Sequence, residues 1–178
     1  MIPFPPGTFE LIYADPPWTF ETYSETGQGK SPSRHYAVMD TTSICQLPVA
    51  DLAAPDSVLA LWTYGPRMPD ALIVMASWGF TYKTLAWWDK NSFGTGYYFR
   101  SGGELLLLGR RGRGLPRYDR SVRQVIRAPR RQHSRKPDEM YIALERLFGD
   151  VSRIELFARY PRAGWTAWGI EIPQDDCQ

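Results

Sequence analysis

Cysteine and histidine are scarce: Cys45, Cys177, His35 and His133 are the only ones in 178 residues. Two distant cysteines make neither a CxxC pair nor a disulfide framework. Two isolated histidines make no ligand-spaced cluster, so no metal site is expected. Long apolar runs are missing too. Val58 to Trp62 and Leu105 to Leu108 fall far short of the ~20 residues that a membrane-spanning helix needs. The first seven residues, Met1 to Gly7, lack a basic region followed by an apolar one, which leads us to expect a cytoplasmic protein with no membrane attachment.

Acid is nearly absent from one stretch. Gly109 to Lys136 holds 11 of the 21 lysines and arginines and a single acid, Asp119, for a net +10. The remainder, with 10 basic and 18 acidic residues, carries −8, so the overall +2 conceals a strong segregation. Such a block is either a solvated face or a surface for phosphates, where lysine and arginine gain affinity by releasing counterions. On the second reading Arg110, Arg111, Arg130 and Arg131 are candidate nucleic-acid contacts.

With 43% hydrophobic and 22% charged residues, the composition is that of one globular domain. We take it to span residues 1–178, with a short arm at 1–8 and a tail at 173–178. Phe9 to Ala14, Val58 to Trp62, Glu104 to Gly109 and Ile154 to Ala158 read as buried strands. Between them lie helical segments: Thr41 to Leu52, interrupted by Pro48, and Met68 to Trp78, with Leu72, Met75 and Ala76 on its apolar face. A further helix starts at Pro137, carries Asp138 and Glu139 in its first turn and stops before Gly149, with Met140, Leu144 and Leu147 as its buried stripe. Alternating strands and helices predict an α/β fold with a mostly parallel central sheet flanked by helices, whose ligands bind beyond the carboxyl ends of the strands. Thr19 to Arg34 shows no periodicity and reads as a long functional loop.

The first strand ends on Asp15-Pro16-Pro17-Trp18. Such a tetrapeptide is an ordinary turn, but its chemistry suits methylation of an exocyclic base amine. That amine's lone pair is delocalised into the ring, so acceptors must hold its hydrogens before it can attack. Asp15 supplies a carboxylate, and two prolines give a stiff loop that presents carbonyls without N–H groups. Trp18 offers a face on which a base can lie.

Asp15-Pro16-Pro17-Trp18, His35-Tyr36, Trp78 to Thr84, His133 to Glu139, and Glu155 to Arg159 followed by Trp165 and Gly169 together resemble the MT-A70-like family of S-adenosylmethionine-dependent adenine-N6 methyltransferases. Their order matches as well, and the resemblance runs from about Phe9 to Ile172. It implies a Rossmann-like methyltransferase fold of the permuted β class, in which the catalytic motif precedes the main cofactor segment. It further implies that Asp15 and Pro16 hold the target amine, with Pro17 and Trp18 completing the catalytic loop and Asp15 reaching the cofactor. Ser134 and Lys136 match the segment that meets the methionine carboxylate of S-adenosylmethionine. Phe157, Arg159 and Gly169 match the cofactor-binding strands, and Trp88 matches a tryptophan on the acceptor side.

Three departures accompany the resemblance. Ile170 stands where relatives commonly carry an asparagine, leaving Glu171 as the polar cofactor contact. Arg100-Ser101-Gly102-Gly103-Glu104 replaces an Arg-Asn-X-His/Lys-Glu pattern, and Asp89 replaces an apolar residue. The expected function is methyl transfer from S-adenosylmethionine to adenine N6 in nucleic acid, DNA favoured over RNA. An RNA enzyme or an inactive nucleic-acid-binding partner of the same fold is the alternative, and a partner subunit or homodimer fits either.

Overall fold

A computed structural model of the chain describes residues 2–19, 38–96, 98–131 and 135–169. Its centre is a seven-stranded sheet: β1 (Phe9–Ala14), β2 (Ala53–Thr63), β3 (Thr81–Asp89), β4 (Gly103–Arg111), β5 (Val125–Arg127), β6 (Arg153–Leu156) and β7 (Thr166–Trp168). The spatial order is β5-β3-β4-β2-β1-β6-β7. β1 pairs in parallel with both β2 and β6, β6 with β7, and β3 with β5. β4 is antiparallel to β2 and β3, so it alone runs against the other six. The α/β architecture is the expected one, and the sheet is mostly parallel.

Alternation of side chains divides the core into two layers. Ile12 and Ala14 of β1, Leu59 and Leu61 of β2, and Leu105 and Leu107 of β4 face the first, with α1 (Thr41–Cys45), α2 (Val49–Leu52) and α3 (Met68–Ser77). Leu11, Tyr13, Ala60, Trp62 and Leu106 face the second, under α4 (Asp138–Phe148). Both faces being covered explains why these strands read as continuous apolar runs.

The helices depart from expectation in detail. α3 buries Ala71, Val74 and Met75, with Leu72 partly buried against the same core and Ala76 exposed. α4 buries Met140, Tyr141, Leu144 and Phe148, and Pro137 serves as its N-cap rather than its first helical residue. Pro48 separates α1 from α2, whose N-cap it forms. β3, β5 and β7 are not among the expected strands: β3 opens with four exposed residues before its apolar Leu85 to Trp88, and β5 and β7 have three residues each. Among the described residues no helix is long and apolar enough to cross a membrane.

Candidate active site

Because β1 is central and parallel to its neighbours, its carboxyl end delivers Asp15 to the edge of the sheet where β2 and β6 also end. Three tethers hold the Asp-Pro-Pro-Trp loop there. The Trp18 N–H donates to the Pro16 carbonyl at 2.8 Å, closing a three-residue turn. The Met39 N–H donates to the Pro17 carbonyl at 2.9 Å. Trp18 itself is buried, and its indole N–H donates to the carbonyl of Trp62 at 3.0 Å, so its ring is anchored to the end of β2. The Pro16 carbonyl keeps its second lone pair. The loop expected from Thr19 to Arg34 lies, beyond Thr19, outside the described residues, as do His35 and Tyr36.

Asp15 opens a chain of four alternating charges. Lys136 Nζ lies 2.8 Å from Asp15 Oδ2 and 3.1 Å from Glu104 Oε2. Glu104 also accepts from Lys90. The Lys136 ammonium sits 5.3 Å from the Trp62 ring centroid, and that of Lys90 sits 4.7 Å from Trp88's. Burial alone would lower the Lys136 ammonium, yet the charges of Asp15 and Glu104 push it up to about 12. Glu104 is raised by burial but, held by two ammoniums, ends below the ordinary carboxylate range. Asp15 is raised, burial outweighing the pull of Lys136.

Beside Asp15 opens a cleft of about 670 Å3, lined among others by Lys136, Glu155, Phe157 and Arg159. Its outer wall is an arginine cluster: Arg131, Arg135 and Arg162 all pair with Asp138, the first residue of α4. Burial raises the Asp138 carboxyl, but the Arg131 hydrogen bond and the neighbouring guanidinium charges bring it below its usual range. Deeper in, the Tyr141 hydroxyl donates to Glu155 Oε1 at 2.8 Å. Burial, with the Asp15 charge adding to it, raises Glu155 to about 7 against the opposing Tyr141 bond and nearby arginines.

Phe157 follows β6 with φ +62°, a left-handed conformation that bulky residues rarely adopt. Its neighbour Ala158 donates its N–H to the Trp168 carbonyl at 2.9 Å. A Cβ on Gly169 would lie 2.1 Å from the Ala158 carbonyl oxygen, so only glycine lets the end of β7 approach and hold this turn. Gly169 thus supports Phe157 from behind rather than lining the cleft.

The structure therefore brings Asp15, Lys136, Phe157 and Arg159 around one cleft. Pro16 and Pro17 follow Asp15 in the loop, whereas Trp18 is buried in the layer under α1 to α3 and anchors the loop there instead of offering an open face to a base. Ser134 and Glu171 lie outside the described residues. Lys136 lines the cleft and also bridges Asp15 and Glu104, a pairing that its place in the sequence did not announce. Trp88 is 2% exposed and donates its indole N–H to the Ala128 carbonyl at 2.9 Å, which makes it a core residue and not a surface for nucleic acid. The basic stretch divides. Arg110 and Arg111 end β4 at the opposite edge of the sheet, paired with Val58 and Ser57, and the Arg111 guanidinium donates to the carbonyls of Ala50 and Ala53. Arg130 and Arg131 follow β5 on the site's edge and are exposed. Sequence reasoning missed Lys90, Glu104, Asp138, Tyr141, Glu155, Arg135 and Arg162 as site residues. Clustering of basic residues hinted at Arg135 but not at Arg162, while Glu104, Asp138 and Glu155 stand within the quoted motif segments without a role of their own.

A family model described as MT-A70 matches residues 9–171. The chain belongs to the MT-A70 family. It is 36% identical over 184 residues to a protein named type II methyltransferase M.MunI, from a Mycoplasma species, covering 94% of this chain and 79% of that one. Its identity to the human protein named N(6)-adenine-specific methyltransferase METTL4 is 28%, over 93% of this chain and 38% of that protein. The fungal protein named N6-methyladenosine RNA methyltransferase MTA1, from Cryphonectria parasitica, is 29% identical over 92% of this chain and 52% of its own length. This MT-A70 chain thus spans most of the Mycoplasma relative but only part of the eukaryotic ones.

Proposed function

We propose that this chain transfers a methyl group from S-adenosylmethionine to N6 of adenine in nucleic acid, with DNA as the preferred substrate. The observation that carries the proposal is the Asp15 carboxylate held by Lys136 at the mouth of the cleft. The cleft's groups suit the cofactor's chemistry. Asp15 is a partner for an α-ammonium, the arginines of the wall for a carboxylate, and Glu155 and Phe157 for a polar sugar and an aromatic base. When bound, S-adenosylmethionine supplies an electrophilic methyl on a cationic sulfur.

Everything else is done by this chain's own residues. Asp15 and the Pro16 carbonyl accept the two hydrogens of the target amine, which frees its lone pair from the ring and aims it along the transfer direction. Lys136 fixes the carboxylate without neutralising it by proton transfer, because its own affinity for a proton is raised. A raised Asp15 is in turn a better acceptor for the proton that the methylated amine sheds.

DNA is placed first because the chain aligns along most of a type II methyltransferase. The test is nucleoside mass spectrometry after incubating the protein and S-adenosylmethionine with DNA and RNA separately. N6-methyladenine is expected from DNA, and Asp15→Ala should abolish it. Product from RNA alone would transfer the assignment to RNA. No product from either, with cofactor binding intact by calorimetry, would leave an inactive nucleic-acid-binding partner.

A further inference from the structure

Residues 90–103 connect β3 to β4 and contain Phe93, Tyr98 and Phe99, basic Lys90 and Arg100, and no acid. Aromatic residues between glycines ordinarily fold back on a core. These do not. Phe93 is 78% exposed, Tyr98 99% and Phe99 90%. The connection is nonetheless ordered by its own backbone. The Lys90 N–H donates to the Gly102 carbonyl at 2.9 Å and the Gly94 N–H to the Ser101 carbonyl at 2.7 Å. A Cβ on Gly96 would fall 2.0 Å from the Phe99 carbonyl oxygen, so the backbone also turns closely on itself between these two residues.

Three large aromatic side chains held in water, on a hairpin that packs on itself, lose the burial that would stabilise them. Clustered exposure of this kind marks an interaction surface. The hairpin's placement identifies the partner. It grows from the site edge of the sheet, and its first residue, Lys90, is joined through Glu104 and Lys136 to Asp15. Its exposed charge is Arg100, and Arg130 bears electrostatically on Lys90. Aromatic faces interleaved with cations suit unpaired nucleotides, since every base has a π-face and every link a phosphate. A protein partner would more commonly meet acidic and basic groups together.

We propose that the 90–103 hairpin is a stacking platform, on which Phe93, Tyr98 and Phe99 hold the unpaired bases flanking the target adenine while Arg100 meets the phosphate. The proposal rests on the nucleic-acid methyltransferase reading above. It makes the hairpin a determinant of strand state: paired bases hide the faces it needs, so the chain prefers unpaired or locally opened adenine.

The test uses the full chain with a fluorescein-labelled, adenine-containing single-stranded oligodeoxynucleotide, read by anisotropy. The triple variant Phe93→Ala, Tyr98→Ala, Phe99→Ala is expected to weaken binding by about tenfold or more. Its thermal midpoint and its calorimetric affinity for S-adenosylmethionine should stay unchanged. Tyr98→Trp retains binding because it keeps a stacking face, and Ile73→Ala, exposed at 58% on α3, is the surface control. Wild-type binding that the triple variant leaves intact overturns the platform alone. A wild type that binds neither DNA nor RNA overturns the nucleic-acid reading with it. A wild-type dimer that the triple variant dissolves, with strand affinity unchanged, assigns the hairpin to a second copy of the chain and overturns the platform as well.

Discussion

Lys136 Nζ stands 2.8 Å from Asp15 Oδ2, tying the segment before α4 to the loop that ends β1. Asp15 and Glu104 would face each other without it. Lys136→Met should therefore raise both carboxyls and destabilise the fold by on the order of 2–3 kcal/mol. That is less than in a fully enclosed pair, because the two side chains keep 24% and 21% exposure. Methyl transfer should fall by about 100-fold or more, since the aimed charge at the amine is lost. Urea titration and single-turnover kinetics would measure the two effects. Unimpaired turnover would remove Lys136 from the site.

Glu155 gives a pH dependence whose sign follows from its raised carboxyl. The folded value of about 7 lies above the ordinary 4.5, so the protonated group contributes stability that is fully present below pH 4.5 and is lost as the pH rises through about 7. Glu155→Gln keeps an acceptor for the Tyr141 hydroxyl but cannot ionise. It should melt a few degrees above the wild type at pH 8, on the order of 2 kcal/mol, and match it near pH 4.5. Parallel melting curves of the two proteins across that window would contradict the assignment.

Gly102 and Gly103, adjacent in sequence, should respond in opposite ways. A Cβ on Gly103 would meet the Trp88 carbonyl oxygen at 2.2 Å and the Trp87 ring at 2.6 Å, whereas one on Gly102 finds nothing closer than 3.9 Å. Gly103→Ala should cost about 1–3 kcal/mol by overpacking and loosen the Asp89–Gly103 end of the β3–β4 pair. Gly102→Ala should be neutral. Chemical denaturation of the two variants is the comparison, and equal midpoints would show that the strand end yields freely.

The two halves of the basic stretch should separate in a salt titration. Arg111→Ala removes donors to the Ala50 and Ala53 carbonyls, so it should destabilise the protein by about 1–2 kcal/mol and leave nucleic-acid affinity unchanged. Arg130→Ala should leave stability unchanged and lower the slope of log affinity against log salt by about 1. Equal slopes for both variants would make the far edge of the sheet a binding face after all.

Much of this protein is legible in its sequence because its information is local. Buried strands such as β1 and β4 announce themselves as apolar runs, α4 by its acidic first turn and terminal glycine, and the Asp-Pro-Pro-Trp loop by four consecutive residues. The short or half-polar β3, β5 and β7 do not, since pairing rather than periodicity makes them strands. Tertiary structure alone decided which charges meet. Lys136 finds Glu104 only because β4 runs against its neighbours and starts where β1 ends, and Arg162, which follows β6, joins the nearby Arg131 and Arg135 on Asp138 only in the folded chain. It also divided one uniform run of arginines between opposite edges of the sheet. Sequence fixes the identity of each charge, but distance and burial set its partner and its proton affinity, and both are properties of the folded chain.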